Sequence, residues 1–330
     1  MNQKVIKWGI TFSLLLITLL SVCLIALSMG TMYIPIDQLI SILLNQMNCT
    51  EYTILMDIRL PRILVGIAVG GALSLAGVIL QAVFRNPLVE PYTLGISGGA
   101  ALGVSISIVF ALNQSYAMSL PFFGMIGAGC VILVIYSLNA FGVVHNMQRL
   151  LLIGVMISFI SNSLFMLIIS LSKSEQMHSI MFWTMGSLEE PNLALVYSLL
   201  IVSLLGCLIT SIYSVDLNIL SLGEEDAFHL GLHVERIRNV LLITASILTG
   251  FCVSISGIIG FVGLVVPHFV RLFFGSDHRT VITASYITGG IFLIICDLLA
   301  RTIISPMELP VGIVTGLVGG LIFIYALVNK

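Results

Sequence analysis

The chain has 330 residues, of which 58% are hydrophobic and 8% are charged, and its formal net charge is −2. A soluble domain has about 25% charged residues, so these few charges cannot cover a water-exposed surface, and lipid must be the solvent for much of the chain. The near-neutral charge balance also lacks the basic face that nucleic-acid binding requires, so we expect no nucleic-acid partner.

The first predicted element is a membrane helix at residues 9–29. Lys4 and Lys7 precede it as they would in a signal peptide, but its apolar run exceeds the roughly 7–15 residues of a signal sequence. Polar breaks separate nine further apolar runs of about 20 residues, the length that crosses a bilayer. The predicted spans are 9–29, 62–83, 94–112, 121–143, 150–171, 193–213, 239–256, 258–274, 281–300 and 310–328. We therefore predict an all-α polytopic membrane protein with about ten transmembrane helices, formed by residues 1–330 as a single membrane-spanning domain.

The distribution of lysine and arginine predicts the orientation of these spans, because basic residues near span ends favour the cytoplasmic side. With both termini inside, nine basic residues lie inside and four lie outside. The inner group is Lys4, Lys7, Arg85, Arg149, Arg236, Arg238, Arg271, Arg279 and Lys330, and the outer group is Arg59, Arg62, Lys173 and Arg301. We therefore predict that both termini are cytoplasmic.

The outer connection at residues 30–61 carries a second prediction. Five apolar residues recur there at helical spacing: Ile36, Leu39, Ile40, Leu43 and Leu44. This pattern predicts a short helix lying in the membrane interface.

A short internal repeat joins the two halves of the chain. Residues 74–79 in the second span resemble residues 254–259 at the end of the seventh, and a proline follows each, at Pro87 and Pro267. The two spans cross the membrane in opposite directions, so the repeat favours the inverted arrangement found in many transporters.

One motif points to an enzyme instead of a carrier. Residues 95–99 fit the G-x-S-x-G pattern around Ser97, and they also contain the G-x-S-G of rhomboid-type intramembrane proteases. A serine nucleophile needs a base within hydrogen-bond reach, and His268 is the candidate. The alternative is that these small residues only permit close packing where a helix begins, and this interpretation predicts no catalytic residue.

No motif predicts a bound cofactor or metal. The phosphate-binding pattern G-x-x-x-x-G-K-[ST] is absent, so ATP hydrolysis would require a separate subunit. His229 and His233 share a helix face, but Leu230 stands where a zinc protease needs glutamate. We therefore expect no metal site and no cofactor bound by this chain.

Five blocks of sequence, spread over nearly the whole chain, carry a family resemblance. They are Arg59-Leu-Pro-Arg62 with Gly77-Val-Ile-Leu-Gln81, Arg85-Asn-Pro-Leu88, Glu90-Pro91 and Leu94-Gly-Ile-Ser-Gly98; Trp183-Thr-Met-Gly-Ser-Leu188; Leu220-Ser-Leu-Gly-Glu-Glu225 with Leu230-Gly231; Gly260-Phe-Val-Gly-Leu264 with Pro267-His268 and Asp277-His-Arg279; and Asp297-Leu-Leu-Ala-Arg301 with Glu308-Leu-Pro310. In this order they resemble the FecCD-type permeases, the membrane subunits of bacterial importers for siderophores, haem and cobalamin.

The resemblance implies an assembly as well as a fold. It implies ten helices per subunit, two permease subunits around a central pathway, two cytoplasmic ATP-binding subunits and an extracytoplasmic substrate-binding protein. The chain would then be a transport subunit of the bacterial cytoplasmic membrane and no enzyme, with ATP used by the partner ATPase. The two permease subunits are either identical or different.

The resemblance also implies roles for particular residues. Arg59, Arg62 and Arg301 match positions that dock the binding protein through its acidic residues; the alternatives are lipid-headgroup anchoring and, for Arg301, a structural pair with Asp297. Asn86 and Leu88 match the inner gate of cobalamin-type relatives, although a proline-terminated helix end fits them equally well. The residues that match the ATPase-coupling helices are Leu220, Gly223, Glu224, Glu225, Leu230 and Gly231, for which the alternative is a solvated acidic helix.

The block at residues 183–188 resembles siderophore permeases more than cobalamin permeases. The resemblance therefore favours an iron–siderophore complex as the substrate. A haem or cobalamin importer shares every motif and stays open as the alternative, and a rhomboid-like protease is the more distant one.

Overall fold

The computed structural model describes residues 2–30, 32–45, 50–112, 118–140, 147–190 and 192–328, and the regular structure of these residues is helical throughout. The helices are α1 (Asn2–Ser28), α2 (Ile36–Asn45), α3 (Leu60–Val83), α4 (Ile96–Val109), α5 (Ser119–Ala140), α6 (Met147–Leu171), α7 (Ser174–Thr184), α8 (Leu193–Ile212), α9 (Ser214–Leu220), α10 (Glu224–His229), α11 (Val234–Ser256), α12 (Val262–Phe274), α13 (His278–Thr302) and α14 (Val311–Val328). A continuous helical stretch, Thr50–Arg59, leads into α3 and ends in one π-helical turn.

Each of the ten predicted spans coincides with one of these helices. Seven are long and apolar enough to cross a membrane, and their apolar stretches are Trp8–Ser28, Thr50–Val83, Ser119–Leu138, Gln148–Leu171, Leu193–Ile212, Val234–Ser256 and His278–Thr302. The other three predicted spans are the shorter apolar helices α4, α12 and α14. The all-α membrane architecture is therefore confirmed, and the predicted split at residue 257 is a true break, because Gly257 has a φ of +70° and ends α11.

The second span, α3, forms the centre of the bundle. It packs against α8, α11, α12 and α13. In its most apolar stretch, 89% of the residues are buried inside the protein, compared with 6% of those in α1. Glycines permit this close packing, because a Cβ at Gly70 would lie 2.2 Å from the carbonyl oxygen of Gly289, and one at Gly77 would lie 1.9 Å from that of Gly263. Glycines on α3 therefore bring helix backbones into contact.

The predicted interfacial helix is present as α2. Leu39 and Ile42 are buried against Ile34 and Leu55, so part of its apolar face covers the protein itself, whereas Ile36 is exposed. The side chains of residues 40, 43 and 44, which completed the predicted face, lie outside the described residues.

Two of the short helices begin after non-helical segments. A segment at residues 84–95, which contains a 3₁₀ turn at Pro91–Leu94, precedes α4, and residues 257–261 precede α12. With 14 and 13 residues, α4 and α12 are about 20 Å long, less than the roughly 30 Å of a hydrocarbon core. Both helices are predicted spans that begin later than the sequence suggested, at residue 96 instead of 94 and at residue 262 instead of 258.

Candidate functional site

The ends of the bundle are named here after the predicted orientation: Arg62 lies at the outer end and Arg85 at the inner end. At the outer end, Arg62 is the centre of an ionic cluster. Its Nε donates to Asp297 Oδ1 at 2.8 Å, and its Nη1 donates to Glu189 at 2.8 Å and to Glu308 at 2.7 Å. These contacts join α3 to α13, to the connection between α7 and α8 and to the connection between α13 and α14, so one guanidinium ties together four parts of the chain.

The same cluster contains the ion pair between Arg301 and Asp297 that we predicted as the alternative to docking. The Arg301 Nε lies 3.0 Å from Asp297 Oδ2 as an ion pair four residues apart on α13. Asp297 therefore lies between two arginines, and all three of these side chains are buried. Such a buried group must be paired, because an isolated charge in this surrounding would be very costly.

Arg59 lies apart from these carboxylates. Its guanidinium donates to the carbonyl oxygens of Leu27, Ser28 and Met32, with 3.2 Å between Nη1 and the oxygen of Ser28. The last carbonyls of a helix have no partner within the helix, so Arg59 satisfies those at the end of α1. No sequence pattern indicates this contact, because the partners are backbone atoms about 30 residues away.

The burial of these arginines bears on their predicted docking role. Arg62 is 5% exposed, whereas Glu189 and Glu308, which cover it, are 60% and 36% exposed as side chains. The outer surface above the cluster therefore presents carboxylates. The docking role of Arg59, Arg62 and Arg301 stays a prediction, and it requires that these carboxylates move when a partner arrives.

At the inner end, the predicted coupling segment, residues 220–231, forms a turn and the short helix α10. Gly223 precedes α10 with a φ of +142°, a conformation that glycine adopts without strain, and Glu224 lies in the first helical turn. Arg238 Nη1 donates to Glu224 at 3.3 Å, which ties α10 to α11. A turn at Gly223 therefore orients α10.

The coupling segment exposes apolar side chains beside acidic ones. Leu220 is buried and anchors the segment, whereas Leu222, Phe228 and Leu230 are 64%, 72% and 62% exposed. Glu225 and Gly231 are also exposed. Contiguous exposed apolar residues with a polar rim mark protein interaction surfaces, and this one lies outside the predicted spans.

A polar link that sequence reasoning missed connects this region to α13. Asn218 in α9 donates through Nδ2 to Asp277 Oδ1 at 2.9 Å, and its Oδ1 accepts the backbone N–H of His278 at 2.9 Å. Partial burial alone would raise the pKa of Asp277, but the hydrogen bonds from Asn218 and from the Arg279 N–H hold it below its usual value. The link fixes the coupling segment to the start of a long span.

The predicted inner gate lies in the segment between α3 and α4. Asn86 Oδ1 accepts the N–H of Leu88 at 3.0 Å, and the Leu88 side chain is 56% exposed. Arg85 has a positive φ of 48°, which turns the chain sharply at the end of α3. The geometry agrees with the alternative of a helix end closed by a turn, and the gate role stays a prediction.

The two residues of the protease alternative lie on helices with different neighbours. Ser97 is in α4, which packs on α5 and α6, whereas His268 is in α12, which packs on α3 and α13. The His268 ring lies edge-on against Phe323, with centroids 5.7 Å apart. Among the described residues, no group of three or more metal-binding side chains is brought together.

Comparison with known proteins gives a consistent result. The FecCD transport family matches residues 15–329. The hemin transport system permease protein of Yersinia pestis is 38% identical over 86% of this chain and 85% of its own length. The cobalamin import system permease protein of Halobacterium salinarum is 36% identical over 85% and 75%. A solved structure described as an inward-facing conformation of a metal-chelate type ABC transporter has a TM-score of 0.86 and 30% identity, covering 98% of this chain and 99% of that one.

Proposed function

This chain belongs to the FecCD transport family, and we propose that it is the permease subunit through which an ATP-driven importer carries an iron–siderophore complex across the cytoplasmic membrane. The family match over residues 15–329 is the observation that carries the proposal, because it covers nine spans completely and most of the first. The match to a transport family over residues 15–329 favours a permease over the rhomboid-like protease, and we assign Ser97 to packing.

The proposed energy source is a separate cytoplasmic ATPase. The coupling segment offers it a surface of three exposed apolar side chains, Leu222, Phe228 and Leu230, together with the exposed carboxylate of Glu225. Movement of an ATPase bound here displaces α9 and α10, and the hydrogen bond between Asn218 and Asp277 transmits this displacement to α13. This assignment places both termini in the cytoplasm, as the basic residues predict.

The proposed outer partner is a substrate-binding protein. The predicted docking residues Arg59, Arg62 and Arg301 are buried, and Glu189 and Glu308 already bind Arg62. A carboxylate of the binding protein therefore competes with these two side chains for the arginine. Exposed ion pairs contribute only about 0–1 kcal/mol, so the exchange has a low cost.

The relatives support a metal chelate as the substrate. The named substrate of the Yersinia relative is an iron chelate, hemin, and the solved structure is of metal-chelate type. The block at residues 183–188 favours a siderophore. Haem and cobalamin are the alternatives, the latter supported by the Halobacterium relative.

The test begins with the cognate binding protein. We expect titration of this purified protein with ferric siderophores, hemin and cobalamin to give the lowest Kd for a ferric siderophore. Proteoliposomes that contain the chain, its ATPase and the loaded binding protein should then take up iron only with ATP inside the compartment that holds the ATPase. If hemin or cobalamin binds with the lowest Kd, that ligand replaces the siderophore as the assigned substrate. If uptake does not require ATP, the assignment as an ATP-driven importer is wrong.

A further inference from the structure

The break between α11 and α12, residues 257–261, runs from one end of the bundle to its middle. At its start, the carbonyl oxygen of Ile258 lies 2.7 Å from the position of a Cβ at Gly312, in the first turn of α14. At its end, a Cβ at Gly319, the middle of α14, would lie 2.6 Å from the Cβ of Phe261. A Cβ at Gly263, just after the break, would lie 2.8 Å from the carbonyl oxygen of Leu73, near the middle of α3. Two independent helices thus place the end of this non-helical segment about halfway across the membrane.

Part of this backbone is paired. The hydroxyl of Tyr92 donates to the carbonyl of Ile259 at 2.7 Å and accepts its N–H at 3.0 Å. Glu90 accepts the N–H of Phe261, whose carbonyl accepts from the start of α12. The segment before α4 therefore satisfies alternate residues of the break, and it brings the carboxylate of Glu90 to this depth.

Two other residues of the break, Ile258 and Gly260, have backbone groups without such partners among the described residues. Among the hydrogen bonds of the described residues, none involves the N–H or the C=O of Ile258 or Gly260. An unpaired backbone group in hydrocarbon costs several kcal/mol, so non-helical backbone is tolerated at this depth only where protein buries it or where it lines a water-filled cavity.

Packing separates these two possibilities. A Cβ at Gly312 of α14 would lie 2.7 Å from the carbonyl oxygen of Ile258, and one at Gly320 would lie 3.8 Å from the Phe261 ring. Gly316 lies one helical turn from Gly312 and one from Gly320, so it is level with the part of the break between these two contacts. A Cβ at Gly316 would nevertheless meet nothing within 4 Å. Gly260 likewise faces open space. Gly260 is therefore only partly buried by this chain, with open space beside its Cα.

We propose that the break at residues 257–261 lines the water-filled translocation pathway, where the backbone N–H and C=O of Gly260 hydrogen-bond to the polar groups of the passing iron chelate. The inference rests on the proposed transport function. Glu90 adds a carboxylate beside the break, and an ionisable group at this depth is itself typical of a substrate pathway. Backbone groups suit a chelate whose surface carries both donors and acceptors, because they supply both without a side chain that would narrow the path.

The first test measures access to water. Gly260 does not have a positive φ, so Gly260→Cys introduces a thiol without strain. The matched control is Gly129→Cys, in the middle of α5 beside the exposed apolar side chains of Ile126 and Leu133, where a Cβ also meets nothing within 4 Å. Each variant is assembled with its ATPase in proteoliposomes and treated with a charged methanethiosulfonate, and labelling above that of the parent chain is counted by intact mass.

We expect Gly260→Cys to react about tenfold or more faster than Gly129→Cys, because the thiolate is the reactive form and a thiol in hydrocarbon stays protonated. Equal rates in assembled complexes overturn the inference. This readout does not depend on the substrate, so it fails separately from the proposed function.

The second test measures passage. Gly260→Leu should reduce uptake of the ferric siderophore bound by the cognate binding protein about tenfold or more, while the complex keeps its ATPase rate, because a branched side chain would fill the gap opposite Gly316. Gly129→Leu should transport normally. If Gly260→Leu also transports normally, the break lies outside the pathway even where water reaches it. If the parent complex transports no chelate, the proposed function fails while the labelling result stands.

Discussion

The ionic cluster at the outer end makes a quantitative prediction about stability. Arg62→Met removes the partner of Asp297, a carboxylate that is 2% exposed, and leaves Arg301 beside it. Breaking a buried pair by removing one partner costs about 3–5 kcal/mol. Because Arg301 stays in place, we expect the low end of that range, a loss of about 3 kcal/mol in the free energy of unfolding.

Glu308→Gln is the matched control. It removes another contact of the same guanidinium, but Glu308 is 36% exposed, so this change should cost only about 0–1 kcal/mol. Adding Asp297→Asn to Arg62→Met should deepen the loss, because it removes the carboxylate that pairs with the buried guanidinium of Arg301.

The assay is loss of helicity in mixed micelles as the fraction of denaturing detergent rises. If Arg62→Met unfolds at the same detergent fraction as Glu308→Gln, the cluster contributes no stability and the reasoning from burial is wrong. The result also decides how docking is studied. If Arg62 stabilises the fold, a charge reversal at this position lowers binding through misfolding, so affinities must be measured on the folded fraction of the protein.

Four further predictions address coupling, docking, packing and the serine motif. Gly223→Trp should uncouple ATP hydrolysis from uptake in the assembled complex, because its φ of +142° does not suit a bulky residue; tight coupling in this variant would remove the segment from the ATPase contact. Glu308→Gln should tighten binding-protein affinity modestly, by about 0–1 kcal/mol measured at low salt, since it frees an arginine; weaker binding would mean that the carboxylate itself contacts the partner. Gly77→Val should prevent stable folding, measured as monodisperse protein after detergent extraction, because a Cβ there lies 1.9 Å from a backbone oxygen, whereas Gly9→Val faces open space and should behave as wild type. Ser97→Ala should leave uptake intact, and a serine-specific covalent label that the wild type takes up and this variant loses would contradict that view.

The ten spans were predictable because a membrane helix is a local property. About 20 apolar residues between polar breaks predict a span whatever lies next to it, and each of the ten predicted spans coincides with a helix. The turn at Gly223 likewise depends on local sequence, because glycine adopts its positive φ without strain. These features need no knowledge of which helices are neighbours.

The contacts that sequence reasoning missed depend on neighbours far along the chain. Arg62 and Asp297 are 235 residues apart, and nothing near either residue names the other. Counting basic residues outside suggested a positively charged docking surface, whereas the folded cluster is covered by acidic side chains. Glu90 was read as part of a loop, because depth in the membrane follows from helix packing, which the local pattern does not contain.

The central position of α3 has a consequence for how the protein is made. The second span leaves the ribosome and enters lipid before α8, α11, α12 and α13 exist, yet in the finished molecule these helices surround it. Its arginine enters the bilayer edge without Asp297, which is synthesised almost last. Biogenesis therefore has two stages, insertion followed by enclosure, and a chain truncated before α13 retains a membrane-embedded cation without its buried carboxylate. The ion pair between Arg62 and Asp297 therefore forms only after α13 has been made and has packed against α3.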